Sequence, residues 1–541
     1  VPSPVSRECE VLIIGAGPAG LAAAIELGLR GIRVLVVERN ARAGVAPRAK
    51  TTNVRTRTHL RRWGIADRLA EESPFGIDYP NDMIFLTRIG DGGQVLARFD
   101  NAFNAAPARS DLYPEHAQWI PQYTLEKVLL EKARSLPSVE IRFDTQFLSA
   151  SQDEDAVHAQ IESQGEKSDI VSRYLIGADG ARSAVRDLIG AKMEGRHGLS
   201  RSYNIIFRAP GLAQAHGFGP ASVYWQIGKA GFSALGPMDR DDIWFFGPAI
   251  GMEATLTHEQ AAAMIRDRTG IDLEYEILSA DAWFASELLA DHYSDRRIIL
   301  AGDACHLHPP FGGYGMNMGI GDGVDLGWKI AGTLQGWGGP ALVASYEAER
   351  RPVHRAVITE AVANLGVAAS SLPPEIEDDS PLGAGIRAKV GGMIQATKGR
   401  EFHTLGTVLG LGYEDSPVIC GEAGPPPEHQ TQVYTPTARP GYLAPHVWLD
   451  DGRSLYDCFG LGFTLIADVA ADPADVKSAV ADARALGVPL DVVRPDGVDI
   501  AGLFEAKLVL IRPDQHVAWR GERWGDALRV ATGLGVSETL A

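Results

Sequence analysis

Cysteine is scarce: four thiols occur in 541 residues, at positions 9, 305, 420 and 458. No two form a CxxC pair and no His/Cys run has the spacing of a metal site. That excludes a disulfide scaffold, gives no reason to expect a metal, and points to a reducing cytoplasm. Basic charge is also short, with 51 Lys and Arg against 69 Asp and Glu and a formal net charge of −18. Such a balance does not suit a general binder of nucleic acid or of an anionic membrane. No uncharged apolar window of about 18 residues is present, so no membrane-spanning helix is expected. The first residues, Val1-Pro2-Ser3-Pro4, lack the basic-then-apolar order of a signal peptide. With 45% hydrophobic and 22% charged residues the composition is that of a globular chain. At about 150 residues per domain, the length suggests roughly three to four domains.

Glycine, by contrast, is placed where it carries meaning. Val11 to Ile14 is an unbroken apolar run, as in a strand buried on both faces. Gly15, Gly17 and Gly20, with Ala19 between the last two, make a GxGxxG pattern before the helix-forming stretch Leu21 to Leu29. The first glycine permits the tight turn, the second lets a pyrophosphate approach the backbone, and the third lets the helix pack on its strand. Arg33 to Glu38 reads as the next strand, and Glu38 stands 18 residues beyond Gly20, where a carboxylate can hold ribose hydroxyls. A strand–turn–helix without a ligand is the bland alternative; the acid at this spacing argues against it. NAD and FAD both fit the pattern. No second strand–glycine–helix unit for a nicotinamide nucleotide follows.

Two further strand ends carry an acid beside a glycine. Tyr174 to Gly177 runs into Asp179-Gly180, with Arg182, Ser183 and Arg186 behind it; Arg297 to Ala301 runs into Gly302-Asp303. After the second come Pro309-Pro310-Phe311-Gly312-Gly313-Tyr314-Gly315-Met316-Asn317 and a helix expected over Asp322 to Gln335. A strand-end carboxylate can hold a ribityl hydroxyl, and a Gly-rich turn into a helix can cradle a flavin edge. Either could instead be a turn that merely caps a helix.

In this order the three motifs resemble the class A flavoprotein aromatic hydroxylases, the fold family of p-hydroxybenzoate hydroxylase and phenol hydroxylase, over residues 8 to 360. The resemblance implies tightly bound FAD, NADH or NADPH as a transient co-substrate, and O₂. It implies cofactor contacts at Gly15, Gly17, Ala19, Gly20, Glu38, Arg39, Arg48, Gln122, Asp179, Gly180, Gly302, Asp303, Pro310, Gly313, Gly315, Met316 and Asn317. Asp179-Gly180 would serve both FAD and the docked nicotinamide nucleotide, which accounts for the missing second unit. The fold implied is α/β: a Rossmann-like FAD domain (1–75, 105–190 and 280–370) interleaved with a β-sheet substrate domain (76–104 and 191–279). A helical or linker region (371–445) and a thioredoxin-like C-terminal α/β domain (446–541) follow, as in longer phenol and polyketide hydroxylases. Lacking CxxC, that last domain is expected to support stability or association; a homodimer is the family's expectation.

The chemistry implied is hydroxylation of a phenolic ring by a flavin C4a-hydroperoxide. The cofactor carries the reaction, and the protein supplies position, a dry cavity and electrostatics. A phenolate is the better nucleophile, so a group that favours it is needed. Lys50, two residues beyond Arg48, is the candidate, with a solvent- or phosphate-facing lysine as the rival reading. Pro310 matches the family proline whose carbonyl faces the reacting edge, His308 is a candidate to face substrate, and His306 is read as a structural hydrogen-bonder. Tyr203, Tyr224, Trp225, Trp244 and Phe246, on three expected strands, are candidates to line the pocket or to pack the sheet core. A halogenase would carry a WxWxIP tryptophan pair, which is absent. An epoxidase and a non-catalytic flavin-binding scaffold are compatible with the same motifs.

Overall fold

In the computed structural model, residues 7–41, 49–229, 231–252, 255–366 and 373–536 are described. Six strands form the first sheet, in the order Ser294–Asp295, Ile298–Leu300, Tyr174–Gly177, Val11–Ile14, Val34–Val37 and Val139–Arg142. All neighbours are parallel except the Ser294–Asp295 edge. Val11 to Ile14 and Val34 to Val37 are buried throughout, which is why these runs do not alternate. Helix Pro18–Leu29 packs on helix Gly315–Leu334 through glycine. A Cβ on Gly323 would stand 2.5 Å from the Ala19 carbonyl oxygen, and one on Gly327 2.2 Å from Glu26 Cβ. That close packing overrides the poor helix propensity of the Gly315–Gly323 stretch, so the helix begins seven residues before the expected Asp322.

The second sheet has eight strands, ordered His306–Leu307, Glu276–Ala290, Met193–Arg208, Ile243–Pro248, Gly231–Pro237, Val223–Gly228, Met83–Leu86 and Val95–Phe99. Its edge strand His306–Leu307 follows Gly302-Asp303 directly and pairs with Leu288 and Leu289, joining the third motif to the second sheet. One face packs on helix His258–Thr269 through Ala261 and Ile265. Helix Pro381–Phe402 covers the other through Val390, Ile394 and Phe402.

A separate four-stranded sheet, Leu490–Val493, Phe463–Ala467, Leu508–Ile511 and Val517–Gly521, with helix Pro473–Leu486, makes the C-terminal α/β unit. It is bound to the rest by buried charge. Arg512 is wholly buried, reaching both oxygens of Glu349 at 2.6 and 2.9 Å and Asp514 at 2.6 Å. Lys329, on the Gly315–Leu334 helix, bonds Glu349 at 2.6 Å and Asp325 at 2.7 Å. Among the described residues no helix is long and apolar enough to cross a membrane.

Candidate active site

Parallel order in the first sheet sets the three motifs side by side. Gly15 N–H donates to Val37 O at 2.8 Å, Ala178 N–H to Ile14 O at 2.8 Å, and Ala301 N–H to Gly177 O at 2.9 Å. Glu38, Gly15–Gly20, Asp179-Gly180 and Gly302-Asp303 therefore share the carboxyl edge of one sheet, where open α/β sheets bind ligands. Gly15 adopts φ +106°, and a Cβ there would lie 2.3 Å from Ala178 O; on Gly20 it would lie 2.0 Å from Gly15 O. At Gly17 a Cβ would meet nothing within 4 Å among the described residues. The first and third glycines are thus demanded by the protein's own packing, whereas the second leaves an open approach. Gly17 is also the N-cap of helix Pro18–Leu29, with no side-chain cap and no acid in the first turn, so the helix end presents free N–H groups to an anion. These features fit a dinucleotide pyrophosphate.

The remaining cofactor-side candidates divide by what holds them. Glu38 accepts from Ala16 N–H at 3.1 Å and from Asn40 N–H at 3.0 Å, which aims its carboxylate along the glycine turn. Arg39 is exposed, and Arg48 lies outside the described residues. Asp179 caps the short helix Ala184–Leu188, accepting from Ala184 N–H at 2.8 Å, Val185 N–H at 3.2 Å and the Ser183 hydroxyl. Beside it Gly180 turns at φ +82°. Gly302 (φ +63°) abuts Ala19, which packs at the helix junction; Asp303 is half-buried in the turn that follows. Both ends of the Gln122 amide are occupied, by Ala49 N–H at 3.0 Å and Glu126 at 2.7 Å, so Gln122 holds the segment that carries Lys50. Asn317 locks the start of its helix, accepting from Asn53 N–H at 3.1 Å and donating to Thr51 O at 2.9 Å and Gly313 O at 2.7 Å. Gly315 and Met316 open that helix.

The pocket assignment needs correction. Register places Tyr203, Tyr224, Trp244 and Phe246 on the sheet face that packs against helix His258–Thr269, together with Ile84, Ile205 and Phe207. Tyr203 accepts at its hydroxyl from Leu256 N–H at 3.2 Å, and Tyr224 donates to Gly219 O. Of the five, only Trp225 lies on the opposite face, with Phe85, Val223, Ile206 and Phe245. Trp225 stacks on Phe85 at 5.9 Å and on Phe232 at 5.4 Å, and faces Phe311 of the Pro-Pro turn at 6.5 Å.

Lys50 reaches this same face. Its carbonyl accepts from Ile120 N–H at 2.8 Å, and Thr51-Thr52 pairs with Gln118-Trp119, which fixes the backbone. The ammonium rests 4.0 Å from the centroid of Phe245, and burial alone pushes its pKa down to about 8. His308 donates through Nδ1 to Pro309 O at 2.7 Å, while its buried Nε2 has no partner among the described residues. Burial lowers its pKa to about 4, so the ring is neutral at pH 7.

One constellation has no signature in the sequence spacing. Cys305, His306, Asp322 and His354 bring their donor atoms within 4.8 Å of one another. Asp322 is already saturated by Gly302 N–H at 3.0 Å, His306 at 3.0 Å, Arg350 at 2.8 Å and His354 at 2.9 Å. Although burial opposes its ionisation, His354 and Arg350 hold this carboxyl well below the usual range. The cluster is a buried tie between the third motif and the two long helices.

This geometry has close parallels. The family model described as an FAD binding domain matches residues 8–361, and that described as an aromatic-ring hydroxylase C-terminal domain matches residues 437–534. The chain belongs to the FAD-binding aromatic-ring hydroxylase family. Members similar to it include 2,4-dichlorophenol 6-monooxygenase of Delftia acidovorans, 31% identical over 580 residues and 97% of each chain. Phenol 2-monooxygenase of Pseudomonas sp. (strain EST1001) is 31% identical, covering 95% of this chain and 90% of that one. Among solved structures, the rebeccamycin biosynthetic enzyme RebC with bound 7-carboxy-K252c has TM-score 0.90 and 34% identity, over 98% of this chain and 100% of that one. The flavin-dependent monooxygenase PieE in complex with FAD and substrate has TM-score 0.88 and 29% identity, over 98% and 99%. In this family the cofactor is FAD, and the cradle built here around Gly17 and Glu38 suits it.

Proposed function

We propose that this protein is a single-component monooxygenase that uses NADH or NADPH and O₂ to hydroxylate a phenolic aromatic ring. FAD, when bound and reduced, supplies the oxygen activation; the chain's residues hold, orient and desolvate the substrate. The reading rests on Lys50, whose half-buried side chain sets its ammonium over Phe245 on the apolar face that also holds Trp225. With a pKa of about 8 it remains mostly charged at pH 7, and a cation held against that apolar face stabilises a bound phenolate over the phenol. Trp225, Phe85 and Phe245 give the ring a flat apolar wall. The Pro310 carbonyl is assigned to the reacting edge of the ring. His308, neutral and with Nε2 unpartnered among the described residues, is assigned as an acceptor for a substrate hydroxyl rather than as a strong base. Asp179-Gly180 at the sheet edge is assigned to both FAD and the docked nicotinamide nucleotide, and Arg39 to FAD.

The test is NADH and NADPH oxidation by FAD-loaded protein across a panel of phenols, with products identified by mass. Stimulation by a phenol together with a product heavier by one oxygen supports the reading. Stimulation by none would remove it.

A further inference from the structure

Beside the apolar wall lies a polar cluster with no part in the reading so far. Asn364, near the end of helix Pro340–Gly366, is wholly buried, and neither its amide nitrogen nor its oxygen has a hydrogen-bond partner among the described residues. Its backbone carbonyl accepts from Lys398 Nζ at 3.0 Å, and the same ammonium bonds Glu401 at 2.6 Å. Both belong to the helix Pro381–Phe402 that covers the second sheet, and both are buried. Lys398 Nζ stands 5.0 Å from the centroid of Phe311, the residue after Pro310. Phe311 faces Trp225, whose buried indole nitrogen also lacks a partner among the described residues.

Buried polar atoms without partners are rare in folded chains, and each calls for a reason. The charges here cancel: Lys398 is neutralised by Glu401, so the cluster offers no surplus charge to an ion. What stays open is a carboxamide, with two donors and an acceptor oxygen. Its complement is a neutral group that both donates and accepts, a hydroxyl. We propose that Asn364 is a specificity-determining residue that binds a second hydroxyl of the aromatic substrate, remote from the one beside Lys50, with Lys398 and Glu401 as positioning residues. The substrate class is then a polyhydroxylated aromatic rather than a simple phenol. The inference rests on the aromatic hydroxylase reading above.

A site built to hydrogen-bond a hydroxyl rejects the analogue that lacks it. The test titrates the FAD-loaded enzyme with matched pairs, naphthols against naphthalenediols and mono- against dihydroxyanthraquinones, and follows the flavin absorbance. For the wild type, at least one dihydroxy compound is expected to bind about tenfold tighter than its monohydroxy partner. In Asn364→Leu that advantage should fall below about twofold with the monohydroxy affinity unchanged. Melting temperature should hold or rise, because an unpaired amide has been removed. Equal loss for both members of each pair, a persistent advantage in the variant, or no dihydroxy preference in the wild type would overturn the proposal. If neither member of any pair perturbs the flavin, the aromatic hydroxylase reading falls with it.

Discussion

At the scale of single residues, the chemistry depends on where water is excluded. Lys50 has its pKa depressed because the protonated form is desolvated, with no carboxylate among the described residues to compensate. The unfolded chain binds that proton up to about pH 10.4. Between about 8 and about 10.4 the unfolded state therefore holds more protons than the folded one, and stability should rise with pH across that window. Lys50→Met is expected to stabilise the free protein near pH 7, with the gain shrinking as pH passes 8; chemical denaturation at pH 7 and pH 10 measures it. In turnover the sign reverses. Activity on high-pKa phenols should fall as pH rises through about 8 and the ammonium is lost, whereas Lys50→Met should show no such limb. The variant should lose much less on nitrophenols, which ionise unaided, than on unsubstituted phenols; equal loss on both would contradict phenolate stabilisation. Glu38→Ala should release FAD during gel filtration if the carboxylate held by Ala16 and Asn40 is, as proposed, the ribose-binding group. Full flavin content after that step would reject the role.

Elements explain which glycines matter for folding and which for the ligand. Gly15→Ala places a methyl 2.3 Å from Ala178 O at a positive φ, so it should destabilise the fold by at least about 2 kcal/mol. Gly17→Ala meets no atom of the described residues within 4 Å, so the apoprotein should melt as the wild type does while flavin affinity drops. Calorimetry of both apoproteins, followed by FAD titration, separates the two effects. The parallel strands at Val11, Val34 and Tyr174 are legible in the sequence because burial on both faces leaves unbroken apolar runs and because glycine turns have fixed chemistry. The eight-stranded sheet is legible as strands but not as faces. Aromatics alternate on both sides of Val223–Gly228 and Ile243–Pro248, so a period of two cannot say which side meets the flavin domain. Only the strand register assigns Tyr203, Tyr224, Trp244 and Phe246 to the face that packs on helix His258–Thr269. Phe85 and Phe245 join Trp225 on one face only when strands distant in sequence are paired, and Phe311 reaches it from the Pro-Pro turn.

Across the whole molecule, the C-terminal unit braces the helix that opens at Gly315. Arg512 and Lys329 share Glu349 and Asp325 in a wholly buried network that spans residues 325 to 512. No local pattern predicts such pairing, since its members are separated by up to 187 residues. Arg512→Met strips the buried Asp514 of its guanidinium and leaves Glu349 with Lys329 alone, and should destabilise by about 3–5 kcal/mol. Reduced FAD occupancy should accompany that loss, because Asp325 and Lys329 lie on the helix that opens at Gly315 and carries Met316 and Asn317; denaturant titration and flavin content report both. At this scale the proposed function is oxygen transfer to an aromatic ring held against the Trp225 and Phe245 face of the eight-stranded sheet. Turnover of a phenol that stimulates NADH or NADPH oxidation, run under ¹⁸O₂ and read by product mass, tests it most directly. One ¹⁸O atom in each product molecule is expected; cofactor oxidation with only unlabelled aromatic recovered would contradict oxygen transfer.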